Sequence, residues 1–94
     1  MSIPKPPPAH FTLLYFASAA SYTRRSYDFF AAPLPLSQLY DVLEQKYPDI
    51  KSKVLSTCAL TVNLDYVDVE EEEGGRTVIE AADEVAIIPP VSSG

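Results

Sequence analysis

Apolar and polar positions change period several times between His10 and Pro90, and each change marks an element. In residues 11–19, FTLLYFASA, one face of an extended chain carries Phe11, Leu13, Tyr15 and Ala17, and the other Thr12, Leu14, Phe16 and Ser18. Apolar side chains on both faces predict a strand central in its sheet. The polar SYTRR that follows reads as a turn and the aromatic-rich SYDFFAA as a second strand, so the two form a hairpin. Past Pro33 and Pro35 the period becomes helical. Leu36, Leu39, Tyr40, Leu43 and Tyr47 make one stripe, while Asp41, Glu44, Gln45 and Lys46 face away. Ser37 is the expected cap and Pro48 the stop.

Residues 58–69, CALTVNLDYVDV, return to alternation, with Ala59, Thr61, Asn63 and Asp65 opposed to Leu60, Val62, Leu64 and Tyr66. They predict a third, half-exposed strand. EEEEGGRT is a solvated loop turned by Gly74 and Gly75, and without the spacing of a calcium loop its glutamates are not read as ligands. A short TVIE, a turn at AADE and a last strand VAIIP complete the order strand, strand, helix, strand, short strand, strand. This is an α+β pattern with one main helix across a mixed sheet. With the first and last strands parallel neighbours, it is the ubiquitin-like β-grasp. The expected organisation is a flexible proline-rich arm over residues 1–9, the β-grasp domain over 10–90 and an extended functional tail over 91–94.

Composition narrows the chemistry. Ninety-four residues, 47% of them hydrophobic, suit one small domain with little chain to spare for an elaborate active site. A formal charge of −6, 13 acidic against 7 basic side chains, argues against nucleic acid as a partner. The lone Cys58 excludes an internal disulfide framework and a multi-cysteine metal site, and makes the cytosol the default compartment. FTLLYFASAAS loosely imitates a signal peptide, but the prolines at 4, 6, 7 and 8 do not suit a charged leader, and no stretch approaches the ~20 apolar residues of a membrane helix. His10 has no triad pattern around it, Cys58 is expected as a small buried thiol, and no phosphate loop occurs. No metal or bound cofactor is expected.

The C-terminus offers the remaining chemistry. Pro89-Pro90 stiffen the exit from the last strand, and Val91, Ser92, Ser93 and Gly94 follow with one sizeable side chain among them. Residues 89–94, fully extended, reach roughly 20 Å, enough to enter another protein's pocket. Gly94 lets the backbone approach a catalytic centre closely, and its carboxylate would need activation before any acyl chemistry. An ordinary frayed end is the alternative at this point.

TLLYFASAASY and ADEVAIIPPVSSG resemble the opening strand and the ending of the small subunit of molybdopterin synthase, a ubiquitin-like sulfur carrier, with a weaker match at Thr61 to Asn63. The resemblance runs from about Phe11 to Gly94. Pro-Pro before the tail is its more specific feature, because carriers of the thiamine and tRNA-thiolation pathways usually lack it. It implies that an ATP-using enzyme related to ubiquitin-activating enzymes adenylates Gly94, and that a sulfurtransferase activity then leaves a C-terminal thiocarboxylate. It further implies that a large synthase subunit, in a heterotetramer of two small and two large chains, uses that sulfur to build the dithiolene of molybdopterin from cyclic pyranopterin monophosphate. The catalytic acids and bases would belong to the large subunit. Carried over, Gly94 is the modified site, Val91, Ser92 and Ser93 line the channel, and Ile87, Ile88, Pro89 and Pro90 form part of the docking surface. The departure is Ser93, where the family usually has Gly. A ubiquitin-like modifier conjugated through Gly94, and a non-catalytic interaction module, are the rival classes.

Overall fold

The computed structural model describes residues 3–68 and 76–89. The chain runs β1 (His10–Tyr15), α1 (Ser18–Thr23), β2 (Tyr27–Ala31), β3 (Leu34–Pro35), α2 (Leu36–Lys46), α3 (Ile50–Lys53), a 3-10 turn (Leu55–Thr57), β4 (Ala59–Val62), β5 (Asp65–Val67), β6 (Val78–Ile79) and β7 (Glu84–Ile88). Five strands make the main sheet in the order β2-β1-β7-β4-β5, and β3 pairs with β6 apart from it. β1 and β7 lie parallel at the centre, Thr12 against Glu84 and Tyr15 against Ile87. The expected β-grasp is therefore the fold: one main helix packs across a mixed sheet whose middle is made by the two ends of the domain.

The core explains why these segments form these elements. Phe11, Leu13, Tyr15, Leu60, Val85 and Ile87 alternate onto one face of the sheet, where Leu36, Leu39 and Leu43 of α2, with Ile50, cover them. Strand and helix periods thus meet on one apolar layer. Glu44 fastens the next turn by accepting the backbone N–H of Asp49 at 2.7 Å and of Lys51 at 3.0 Å. These two bonds, the one from Lys51 first, favour the ionised carboxylate and hold its pKa below the ordinary value.

Three expectations change. SYTRR is not a plain turn, because residues 18–23 form α1; Thr23 Oγ1 donates to the Ala19 carbonyl, and Arg24 closes the helix in the left-handed region at φ 60°. Ser37 does not cap α2. Pro35 occupies the cap position without a side-chain bond, and the Leu36 N–H donates to Thr77 O at 2.8 Å. The third strand is two strands, since the chain reverses at Asn63-Leu64, so Thr61 faces Tyr66 and Val62 faces Asp65. A two-residue turn changes the phase of the alternation, and Tyr66 lands on the face of Thr61 rather than that of Leu60. The end of the 1–9 segment is tied to the β1–β2 hairpin, with the Ala32 N–H donating to Ala9 O and the His10 N–H to Pro7 O.

Candidate functional site

The last strand presents the predicted docking residues unequally. β7 runs between β1 and β4 and is hydrogen-bonded on both sides, up to Ile88 opposite Ala59. Ile87 is 1% exposed and belongs to the core beside Val85, because alternation turns its side chain toward the helix. Ile88 points to the opposite face and is half-buried, and Pro89 is exposed. Pro90, Val91, Ser92, Ser93 and Gly94 lie outside the described residues, as does Glu70–Glu73 of the acidic loop.

The face of the sheet opposite α2 carries the unexpected feature. One register row crosses all five strands, Tyr27–Leu14–Ala86–Thr61–Tyr66. Its two middle members, Ala86 and Thr61, are short, and taller side chains stand around them. The result is a concavity of about 340 Å³ lined by Leu14, Phe16, Leu64, Tyr66 and Ile88 as well as the two floor residues and Glu84. Phe16, Tyr66 and Leu64 are 45%, 62% and 84% exposed, a clustering of large apolar side chains that a monomer surface rarely carries without a partner.

Leu64 also sits at φ 76° and Asn63 at φ 49°, both left-handed. Asparagine tolerates that region, whereas leucine is strained there. The turn is held by Asn63, whose Oδ1 accepts the Glu84 N–H at 2.9 Å and whose Nδ2 donates to Asp83 Oδ1 at 3.1 Å. Leu64 is strained and 84% exposed, so packing within this chain does not account for it.

The helix side holds the molecule's polar cluster. Asp28, 3% exposed, accepts from Tyr15 Oη at 2.7 Å and Tyr47 Oη at 2.6 Å through Oδ2, while Oδ1 meets Lys46 Nζ at 3.2 Å and Arg25 Nε at 2.8 Å. Burial opposes its ionisation, but the bonds from Tyr47, Tyr15 and Lys46 outweigh it and hold its carboxyl below the ordinary range. The same burial and the same carboxylate push Tyr15 far up and Tyr47 up to about 12. With every oxygen partnered, this cluster clamps α2 to β1 and β2; it has no open position for a substrate. Cys58 is half-buried rather than buried, at the start of β4 with Ser18 Oγ 3.8 Å from its sulfur. His10 bonds Pro8 O through Nδ1 at the edge of the sheet. Among the described residues no group of three or more His, Cys, Asp or Glu side chains is arranged for a metal.

The ThiS family profile matches residues 13–94. The molybdopterin synthase sulfur carrier subunit of Phaeosphaeria nodorum is 48% identical over 96 residues, covering 100% of both chains, and that of Emericella nidulans is 53% identical over 88 residues, 89% of this chain and 97% of the relative. The chain belongs to the ThiS family, among the molybdopterin synthase sulfur carrier subunits. The fold is shared with a chain of the complex of subunits 1 and 2 of the molybdopterin-converting factor from Helicobacter pylori, at a TM-score of 0.63 and 21% identity, over 90% of this chain and 99% of that one.

For such a carrier the sequence pointed to the tail and overlooked the outer face. Leu14 and Phe16 were legible as the second apolar face of β1. Leu64, Tyr66 and Ala86 were not assigned to that face, because only the register across β7, β4 and β5 gathers them.

Proposed function

We propose that this sulfur carrier subunit works through the carboxylate of Gly94. An activating enzyme consumes ATP to form the C-terminal acyl-adenylate and releases pyrophosphate. A sulfur nucleophile then displaces AMP and leaves a thiocarboxylate. The large subunit of molybdopterin synthase accepts the tail and transfers its sulfur to cyclic pyranopterin monophosphate, two such transfers building the dithiolene. Two small and two large chains form the assembly, and the cytosol, where a free Cys58 stays reduced, is its compartment. Among the described residues no helix is long and apolar enough to cross a membrane.

The observation that carries this reading is the junction at the end of β7. The strand is bonded on both sides and stops at half-buried Ile88 and exposed Pro89, next to the apolar concavity over Ala86. A partner seated on the outer face therefore meets the point where the tail leaves, so docking and delivery are one event. Among the described residues the junction, Ile88 and Pro89, carries no ionisable side chain, and the buried carboxylate, Asp28, is on the other face and fully bonded. The chemistry belongs to the proteins that receive the tail.

The test is charging in vitro. Incubated with ATP, a sulfur donor and the cognate activating enzyme, the full chain gains the sulfur-for-oxygen mass difference at Gly94, and the chain lacking Gly94 does not. An unchanged mass under conditions that charge another carrier contradicts the proposal, and conjugation to lysines of other proteins in its place identifies a modifier.

A further inference from the structure

The concavity on the outer face is chemically lopsided. Its floor is Ala86 and Thr61, its apolar walls include Leu14 and Ile88, and Thr61, Tyr66 and Glu84 are the polar residues of its lining. The two hydroxyls donate as well as accept, Glu84 is acceptor-only and carries the one charge, and the lining holds no Lys, Arg or His. The ion pairs seen among the described residues are those of Asp28 with Arg25 and Lys46 and of Asp41 with Lys51, and none involves Glu84. Its backbone N–H is tied to Asn63, which fixes where the carboxylate starts from. Glu84 stands four residues before Ile88 along β7, about 13 Å from the tail exit at the rise of a strand.

An occupant that satisfies this surface needs an apolar stem, a positive charge and several donors at its tip. Lysine offers a compact, strongly hydrated ammonium. Arginine offers a planar, weakly hydrated guanidinium that pairs bidentately with a carboxylate and stacks on aromatic faces, and Phe16 and Tyr66 both present exposed rings here. Its methylene stem covers apolar ground such as Ala86 while the head reaches Glu84.

We propose that the concavity receives an arginine side chain of the large synthase subunit, its stem across Ala86 and its guanidinium on Glu84. The proposal rests on the reading that the large subunit docks on this face. It gives docking a direction: the apolar floor supplies contact, and the charge at the far end from Ile88 sets which way the tail points. A partner that matches the apolar surface without a cation at that distance binds out of register.

The test measures binding of the full-length chain to the large subunit at low and high salt. Glu84→Gln keeps the backbone bond to Asn63 and removes the charge; at low salt it weakens binding at least about tenfold and flattens the salt dependence, with Glu84→Asp intermediate. Phenylglyoxal, which modifies guanidinium groups, is then applied to both complexes and mapped by peptide mass. One large-subunit arginine is protected by the wild-type chain and reactive in the Glu84→Gln complex. Unchanged affinity and salt dependence for Glu84→Gln, or no arginine whose protection depends on Glu84, overturns the arginine site. Ala86→Arg, which fills the floor, separates the two levels: if it abolishes binding while Glu84→Gln is neutral, the face docks the partner without the arginine, and if it binds as wild type the docking reading itself fails.

Discussion

The two faces of the sheet are built from the same strands, yet they differ in what covers them. On the inner face Phe11, Leu13, Val85 and Ile87 are each at most 1% exposed beneath α2, and its buried acid, Asp28, is held by two phenols and two cations. On the outer face the middle is nearly sealed by its own short residues, Thr61 at 7% and Ala86 at 9%, while Phe16, Leu64 and Tyr66 remain in water. Successive residues of β7 therefore serve different ends. Val85 and Ile87 stabilise the domain, and Glu84, Ala86 and Ile88 face outward. The period of a strand lets one segment, β7, belong to the core on one face and line the outer concavity on the other.

Perturbing one face and then the other should separate stability from function. Deleting Gly94 is expected to have the largest effect, complete loss of sulfur charging by intact mass, with the thermal unfolding midpoint and large-subunit binding still measurable. Asp28→Ala on the inner face should cost about 3 kcal/mol in chemical denaturation, because it leaves Tyr15 without its buried acceptor and the two cations without a counter-charge. The same group gives a pH dependence. Its folded carboxyl is held below the ordinary value, so the folded state binds its proton less readily than the unfolded chain. Its stabilising contribution is present above about pH 4 and is lost as pH falls through the depressed folded value; Asp28→Asn should flatten this acid limb in unfolding measured from pH 6 downward.

Ala86→Arg on the outer face should behave in the opposite way. It should weaken large-subunit binding about a hundredfold by titration calorimetry and move the unfolding midpoint little, since its side chain projects from the covered layer rather than into it. Leu64→Gly has the smallest and most discriminating effect. Glycine relieves the left-handed strain at φ 76°, so stability should hold or rise by up to about 1 kcal/mol while binding falls. A leucine that proves stabilising at this position would remove the case that it is kept for the partner.

The elements with long, clean periods were legible in the sequence. Apolar residues on both faces of FTLLY placed β1 at the centre, the Leu36–Tyr47 stripe marked α2, and the parallel pairing of β1 with β7, a premise of the β-grasp reading, is present. What stayed hidden was set by contacts distant in sequence. α1 is six residues long, too short for a period to reveal, and its fit depends on Ala19 entering the core. The β4–β5 reversal lacks the usual Asn-Gly signal because Leu64 occupies the second turn position, and an uninterrupted alternation reads through it. That one miss also concealed the outer face, since Tyr66 joins Thr61 and Ala86 only after the turn. Ile87, singled out for its place near the tail, takes its orientation from the strand's parity, which turns it into the core and Ile88 to the outer face.

Under the proposed function the body holds and presents one activated carboxylate. The most direct measurement is the mass of the C-terminal peptide of this chain isolated from cells. The account predicts a population in which Gly94 carries sulfur in place of one carboxylate oxygen, enriched when the large subunit is absent and the charge is not discharged. A C-terminus found only as the free acid under those conditions, or only in isopeptide linkage to other proteins, would contradict it.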